Sequence, residues 1–245
     1  TPDMLPADVT GFNLYRPDGH SEFLPGPIFA NIVLADELNR TTPRTQSAFL
    51  EAMQEGQVTV EGVTHPLPPL FMVVGNRIPY GGEGTYLLTD VQMDRFMFRL
   101  WSGYPDRTEE AGILDKVDAL EKPRVAAVST PEEVLHARER CLSVHVSSSV
   151  RDYILDLIAK ARQHPDVLSG PSTRGSIALF KGSRALALLE GRDFVLPDDV
   201  QRLALPALEH RLRLKPEAEA DGVSSRTIIE RCLAEVAVPK GDHAG

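Results

Sequence analysis

Up to about residue 105, apolar runs of strand length alternate with one amphipathic helical stretch and with turns rich in glycine and proline. Beyond that point, apolar residues recur at helical spacing. The run 28–35 (IFANIVLA) is apolar except for Asn31, too uniform for a half-exposed strand, and predicts a central parallel one. LFMVVGN at 70–76 predicts a second buried strand, and RFMFRLWSGYP at 95–105 a third. Two hairpins are predicted. In FNLYRPDGHSEFLPG the turn chemistry is Pro17-Asp18-Gly19, and QVTVEGVTHPLPP alternates with period two around Glu61-Gly62. The helix between them starts with Thr42 as cap and Pro43 at the first position, stops at Gly56, and turns Phe49, Leu50 and Met53 inward.

In the second half, Thr130, Pro131 and Glu133 form a capping-box signature. Tyr153, Ile154, Leu157, Ile158 and Ala161 mark one buried face, and Ile228, Ile229, Cys232, Leu233 and Val236 another. Helices are also predicted over 174–190, closing at Gly191, and over 198–212, with Pro206 as a kink. The pattern divides the chain into an α/β piece, 1–120, and a helical piece, 121–245.

Composition narrows the function. A length of 245 residues supports a core without staples, and 42% hydrophobic with 25% charged residues is ordinary for a globular protein. A formal net charge of −9 argues against a general nucleic-acid binder, which needs a basic face. No apolar run approaches the roughly 20 residues needed to cross a bilayer, so no membrane insertion is expected. Cys141 and Cys232 are too few and too far apart for a disulfide framework, which implies free thiols and a cytoplasmic setting. The seven histidines lack paired metal spacing, and no serine lies in G-x-S-x-G. Trp101 reads as a core or interface residue, and GGEG at 81–84 as a loop rather than a dinucleotide fingerprint.

The chemistry starts where the 28–35 run stops, at Asp36 and Glu37. Ligands of open parallel sheets bind at the carboxyl ends of strands, and carboxylates there suit a hard cation such as Mg²⁺. One carboxylate would hold the metal and its neighbour would polarise a water. The alternative is a helix start decorated with acidic residues that complement its dipole.

Three ordered motifs carry a resemblance across nearly the whole chain: NIVLADELNRTTPRTQSAFLEAMQEGQVTVEG, EGTYLLTDVQMDRF and GPSTRGSIALFKGSRALALLEGRDFVLPDDV. They resemble the MoxR family of AAA+ ATPases. The resemblance implies a P-loop NTPase core with a parallel sheet, an all-helical lid, ATP and Mg²⁺ as ligands, and a homo-oligomeric ring, a hexamer. By the same comparison Asp36 positions Mg²⁺ and Glu37 activates the hydrolytic water. Arg95, in MDRF, matches the arginine finger that reaches the neighbouring subunit's γ-phosphate, the alternative being a salt bridge to Asp94 or another core-edge carboxylate. Arg174, in STRGS, matches the lid arginine that touches the same subunit's nucleotide. The family ends its next strand with Thr-Gln-Asn-Pro, where this chain has Val74-Gly75-Asn76-Arg77-Ile78-Pro79. Residue type selects Asn76 as the water-orienting amide, whereas ungapped counting selects Arg77.

A phosphate-cradling G-x-x-x-x-G-K-[ST] loop is not found in these 245 residues, since no lysine directly follows a glycine. In the family that loop lies upstream of the acidic strand. The chain begins at Thr1 within what reads as a loop, so the expectation is a truncated AAA+ core that alone hydrolyses ATP negligibly. The activity implied for the full-length protein is chaperone-like remodelling, assembly or activation of a protein client, with a von Willebrand factor A-domain protein as partner. The alternatives are a nucleotide-insensitive scaffold that lost the loop, and a magnesium-chelatase-like ATPase subunit.

Overall fold

In the computed structural model, which describes residues 3–78, 84–121 and 123–240, a one-turn helix α1 (Pro6–Thr10) leads into a hairpin. Strands β1 (Gly11–Tyr15) and β2 (Ser21–Pro25) pair antiparallel. Its turn is the expected one: Gly19 takes φ 85°, and the Asp18 carboxylate accepts the His20 N–H at 3.1 Å. Strand β3 (Ile32–Ala35) then leads through a 3-10 turn, Leu38–Arg40, into helix α2 (Pro43–Glu55). Thr42 caps that helix and Gly56 ends it in the left-handed conformation at φ 64°. A second hairpin follows, β4 (Gln57–Val60) and β5 (Val63–Pro66), with Glu61 and Gly62 both at positive φ, as a tight two-residue turn between twisted strands requires. Strand β6 (Met72–Gly75) pairs with β3 in parallel, Ile32 opposite Met72 and Ala35 opposite Gly75.

The sheet is smaller than the apolar runs suggest. Only the last four residues of 28–35 form a strand, because Ile28 is tied to Val9 by a backbone hydrogen bond of 3.2 Å and packs, fully buried, as a loop residue. Ile32 and Leu34 are 61% and 66% exposed, so β3 is buried on one face rather than on both. The expected third strand has no ladder among the described residues. Residues 96–101 bend at 96–97 and form no regular element, with Phe96 against the core of the α/β half, Phe98 against that of the helical half, and Leu100 exposed. The predicted GGEG loop lies, apart from Gly84, outside the described residues.

Short helices α3 (Asp90–Met93), α4 (Arg107–Leu114) and α5 (Val117–Leu120) connect to the helical half. That half comprises α6 (Pro131–Ser143), α7 (Ser148–Gln163), β7 (Val167–Ser169), α8 (Thr173–Leu189), α9 (Pro197–Leu208), β8 (Arg213–Leu214), α10 (Pro216–Ala220) and α11 (Ser225–Glu235). The capping box of α6 forms as predicted, Thr130 Oγ1 accepting the Glu133 N–H. The second core lies between α7, α8, α9 and α11, and the five predicted α7 residues are all in it. Helix α9 keeps Pro206 inside it and passes at Leu208 into a 3-10 turn, Glu209–Arg211, short of the expected residue 212. Cys141 and Cys232 are free thiols, and among the described residues no helix is long and apolar enough to cross a membrane.

Candidate functional site

The parallel register determines what meets at the strand ends. With Ala35 opposite Gly75, the next residues, Asp36 and Asn76, fall side by side. The ladder continues one step past the strands, through Asn76 N–H to Ala35 O at 3.1 Å and Leu38 N–H to Asn76 O at 3.0 Å. Asn76 Nδ2 donates to Asp36 Oδ1 at 2.5 Å, and Asn76 Oδ1 accepts the Glu37 N–H at 2.5 Å. Asp36 Oδ1 also accepts that N–H at 3.1 Å. Glu37 adopts φ 46° and ψ 45°, a left-handed conformation that costs a side-chain-bearing residue about 1–2 kcal/mol. Its carboxylate accepts from Arg40 at 2.9 Å.

Buried polar groups brace this turn from beneath. Asn39 donates from Nδ2 to Ile78 O at 3.1 Å and accepts the Ile78 N–H at 3.2 Å. Gln46, buried on α2, donates to the carbonyls of Leu38, Thr41 and Tyr86. A strained acidic turn is thus held by satisfied amides, which is how such strain persists. Asp36 is exposed at the rim, and its oxygens are the donor type a hard divalent cation takes. Beside the turn a cleft of about 260 Å³ is lined by Asn76, Arg77, Phe96, Arg99, Trp101 and His210 among others, with the Arg99 guanidinium 4.2 Å above the Trp101 ring.

A second polar cluster joins α3 to the helical half. Asp94 accepts from Arg211 Nε at 2.9 Å, from Ser172 Oγ at 2.8 and 3.0 Å, and from Arg174 at 3.3 Å. Burial pushes the Asp94 carboxyl upward, but the hydrogen bonds from Ser172 and Arg211 outweigh it and hold the group below its usual range. His210 Nε2 donates to the Phe96 carbonyl at 3.0 Å, and its Nδ1 is buried without a partner among the described residues. Burial, reinforced by the neighbouring Arg211 charge, pushes its imidazole down to about 4.

The five residues singled out from sequence thus fall into two groups. Asp36, Glu37 and Asn76 form one hydrogen-bonded set, and Asn76, rather than Arg77, is the residue that reaches Asp36. Arg77 lines the cleft instead. Arg95 and Arg174 make no hydrogen bond to that set among the described residues. Arg95 donates to the side chain of Gln54 and, at 2.6 Å, to Val91 O, so the alternative of a salt bridge to Asp94 is not what forms. Asp94 pairs with Arg174 and Arg211. Sequence reasoning offered Asp94 only as a partner for Arg95 and missed its pairing with Arg211, whose separation of 117 positions leaves no local signal.

Two family profiles match the chain. A family profile described as "ATPase family associated with various cellular activities (AAA)" matches residues 1–98, and one described as "AAA lid domain" matches 159–232. The uncharacterized protein YeaC of Bacillus subtilis is 45% identical over 243 residues, covering 98% of this chain and 75% of that protein. Chaperone MoxR1 of Mycobacterium tuberculosis is 37% identical over 251 residues, covering 98% of this chain and 66% of that protein. The crystal structure of a Cytophaga hutchinsonii protein, described there as a proposed ATPase, superposes with a TM-score of 0.89 at 38% identity, over 98% of this chain and 76% of that one. Magnesium-chelatase subunits are more distant relatives.

Proposed function

The chain belongs to the MoxR family of AAA+ ATPases, and from that premise we propose that it carries the metal and water side of an Mg²⁺-dependent ATP hydrolysis site. Hydrolysis would drive chaperone-like remodelling, assembly or activation of a protein client. The observation that carries this reading is the hydrogen-bonded set of Asp36, Glu37 and Asn76 at the ends of two adjacent parallel strands. Carboxylates and an amide at that position can share out the work of phosphoryl transfer to water.

Asp36 is the residue that would hold Mg²⁺, directly or through its water shell, by its hard oxygen atoms. The bound cation would neutralise charge on the phosphate oxygens. Glu37 acts as the general base: it orients the attacking water and accepts its proton as the bond to phosphorus forms. For this its carboxylate must leave Arg40, which holds it at 2.9 Å. Asn76 fixes Asp36 through its Nδ2 and the Glu37 backbone through its Oδ1, so one amide sets the relative position of both acids. Arg95 acts in trans, on the phosphate bound by a neighbouring subunit of a hexameric ring, and Arg174 reaches the phosphates of its own subunit. A von Willebrand factor A-domain protein is the proposed partner, and the cytoplasm the proposed location. Remodelling is preferred to chelatase chemistry because the relatives of higher identity include a named chaperone.

The test is Glu37→Gln in the full-length protein. Steady-state turnover is expected to fall by roughly 10²–10⁴ while binding of ATP survives, the signature of a lost base with an intact site. Turnover equal to wild type removes Glu37 from this role.

A further inference from the structure

Asp94 and Arg95 are chain neighbours that serve opposite sides of the molecule. The Asp94 carboxylate faces the lid, where it accepts from Arg211, Ser172 and Arg174. The Arg95 guanidinium turns back to the core, to Gln54 and Val91. Arg211 does more than pair with Asp94. It donates to the carbonyls of Asp94 at 3.0 Å, Phe96 at 2.6 Å and Met97 at 3.1 Å, and to that of Ala207 near the end of α9. Phe98 then packs on the lid helix α8, where it lies against Gly182. The segment bearing Arg95 is therefore gripped along 94–98 by the lid.

The two lid arginines on Asp94 are not equivalent. The Arg211 side chain is 2% exposed and bonds to a carboxylate and four carbonyl oxygens. Removing it from that nest would leave a buried charge uncompensated. The Arg174 side chain is 45% exposed and holds Asp94 through one long contact of 3.3 Å. It stands in the first turn of α8, where the helix dipole disfavours a cation, so it is the partner that can leave.

We propose that Asp94 is a positioning residue with one fixed and one exchangeable partner. Arg211 locks the Arg95 segment to the lid, while Arg174 passes between Asp94 and the phosphates of a bound nucleotide. Asp94 thereby competes with nucleotide for Arg174. It also ties the segment that bears Arg95, the residue proposed to act on a neighbouring subunit's site, to the lid of its own subunit. This rests on the ATPase reading given above.

The experiment uses the full-length protein with Mg²⁺, a non-hydrolysable ATP analogue for binding and ATP for turnover. Asp94→Asn frees Arg174, so the analogue is expected to bind about two- to five-fold tighter, the range of a half-exposed ion pair. The kcat is expected to fall by roughly tenfold or more, because a small misplacement of a catalytic group is costly. Arg174→Gln weakens binding, and in its background Asp94→Asn brings no tightening, although the loss of kcat persists. Should Asp94→Asn fail to fold, Asp94→Glu keeps the charge while displacing the 94–98 segment, and is expected to leave analogue affinity near wild type with kcat reduced. Unchanged or weaker analogue binding in Asp94→Asn, tightening that survives in the Arg174→Gln background, or a wild-type kcat in Asp94→Glu overturns the coupling alone. A wild-type protein that neither binds the analogue nor hydrolyses ATP overturns the coupling and the ATPase reading together.

Discussion

The side-chain amide of Asn76 donates to the Asp36 carboxylate at 2.5 Å, across a parallel register that sets Ala35 opposite Gly75. The same amide's oxygen accepts the Glu37 N–H, so the two acids share one anchor. Asn76→Ala deletes that anchor without adding charge. Turnover of the full-length protein is expected to fall by roughly 10²-fold, with a smaller change in nucleotide affinity, as for a donor aimed at the reacting group. Asn76→Asp should be worse than Ala, because a third carboxylate beside Asp36 and Glu37 repels both. Steady-state kinetics on the two variants check this, and Arg77→Ala serves as the comparison that leaves the anchor in place.

Arg95 makes its hydrogen bonds to Gln54 and Val91, with none to Asp36 or Glu37 among the described residues. A finger that works across subunits predicts complementation. Arg95→Ala alone is expected to lose on the order of 10³ in turnover, and so is Glu37→Gln. Mixed rings pair a wild-type Glu37 with a wild-type Arg95 at some interfaces and should recover part of the activity. Titrating one variant into the other and measuring ATP hydrolysis reads this directly. Two inactive variants that stay inactive at every mixing ratio place Arg95 in another role.

The strand-end cluster was legible because it depends on neighbours in sequence: a run of apolar residues, then Asp36 and Glu37, with Asn76 after a second such run. Both hairpins and the caps at Thr42 and Thr130 were legible for the same reason, since Pro17-Asp18-Gly19, Glu61-Gly62 and the cap residues act within a few positions. What composition concealed is pairing at long range. Phe96 and Phe98 look like strand residues, yet among the described residues their segment pairs with no strand and is held by Arg211, more than a hundred positions later. Likewise, the run 28–35 does not betray that Ile28 is claimed by Val9 before any strand begins. Tertiary hydrogen bonds override apolar pattern at both places.

His210 gives the fold an acid sensitivity with a definite sign. Burial lowers its imidazole to about 4, Arg211 and Arg99 add to the shift, and the Phe96 carbonyl and Asp94 oppose it. The unfolded chain binds this proton near pH 6.5 and the folded one near 4, so stability is full above about pH 6.5 and declines as pH falls through that interval. The loss is about 2 kcal/mol by pH 5. Asp94 does not contribute in this window, because its lowered carboxyl gives up its share only below the ordinary aspartate range near 4. His210→Gln is expected to flatten the dependence of the urea midpoint between pH 7.5 and 5. A slope unchanged in that variant would mean that another group is responsible.

Two glycine-to-alanine substitutions in helices should have opposite signs. In α4, a Cβ on Gly112 would meet nothing within 4 Å, so Gly112→Ala gains helix propensity of up to about 1 kcal/mol. Gly182 lies within α8 and would gain the same amount from propensity alone. There, however, the new Cβ falls 2.7 Å from Phe98 Cζ and 3.0 Å from Leu203 Cδ1. Phe98 cannot retreat freely, because Arg211 holds the carbonyls of Phe96 and Met97 just before it. Overpacking of this kind costs about 1–3 kcal/mol, which exceeds the propensity gain, so Gly182→Ala is expected to be net destabilising by about 1 kcal/mol. Amide exchange separates the two effects: slower exchange confined to α4 in Gly112→Ala, and faster exchange along 96–99 and α9 in Gly182→Ala, where Arg99 N–H bonds to Pro206 O at 2.9 Å. Equal protection of 96–99 in Gly182→Ala and wild type would show that Phe98 yields without loosening the lid contact.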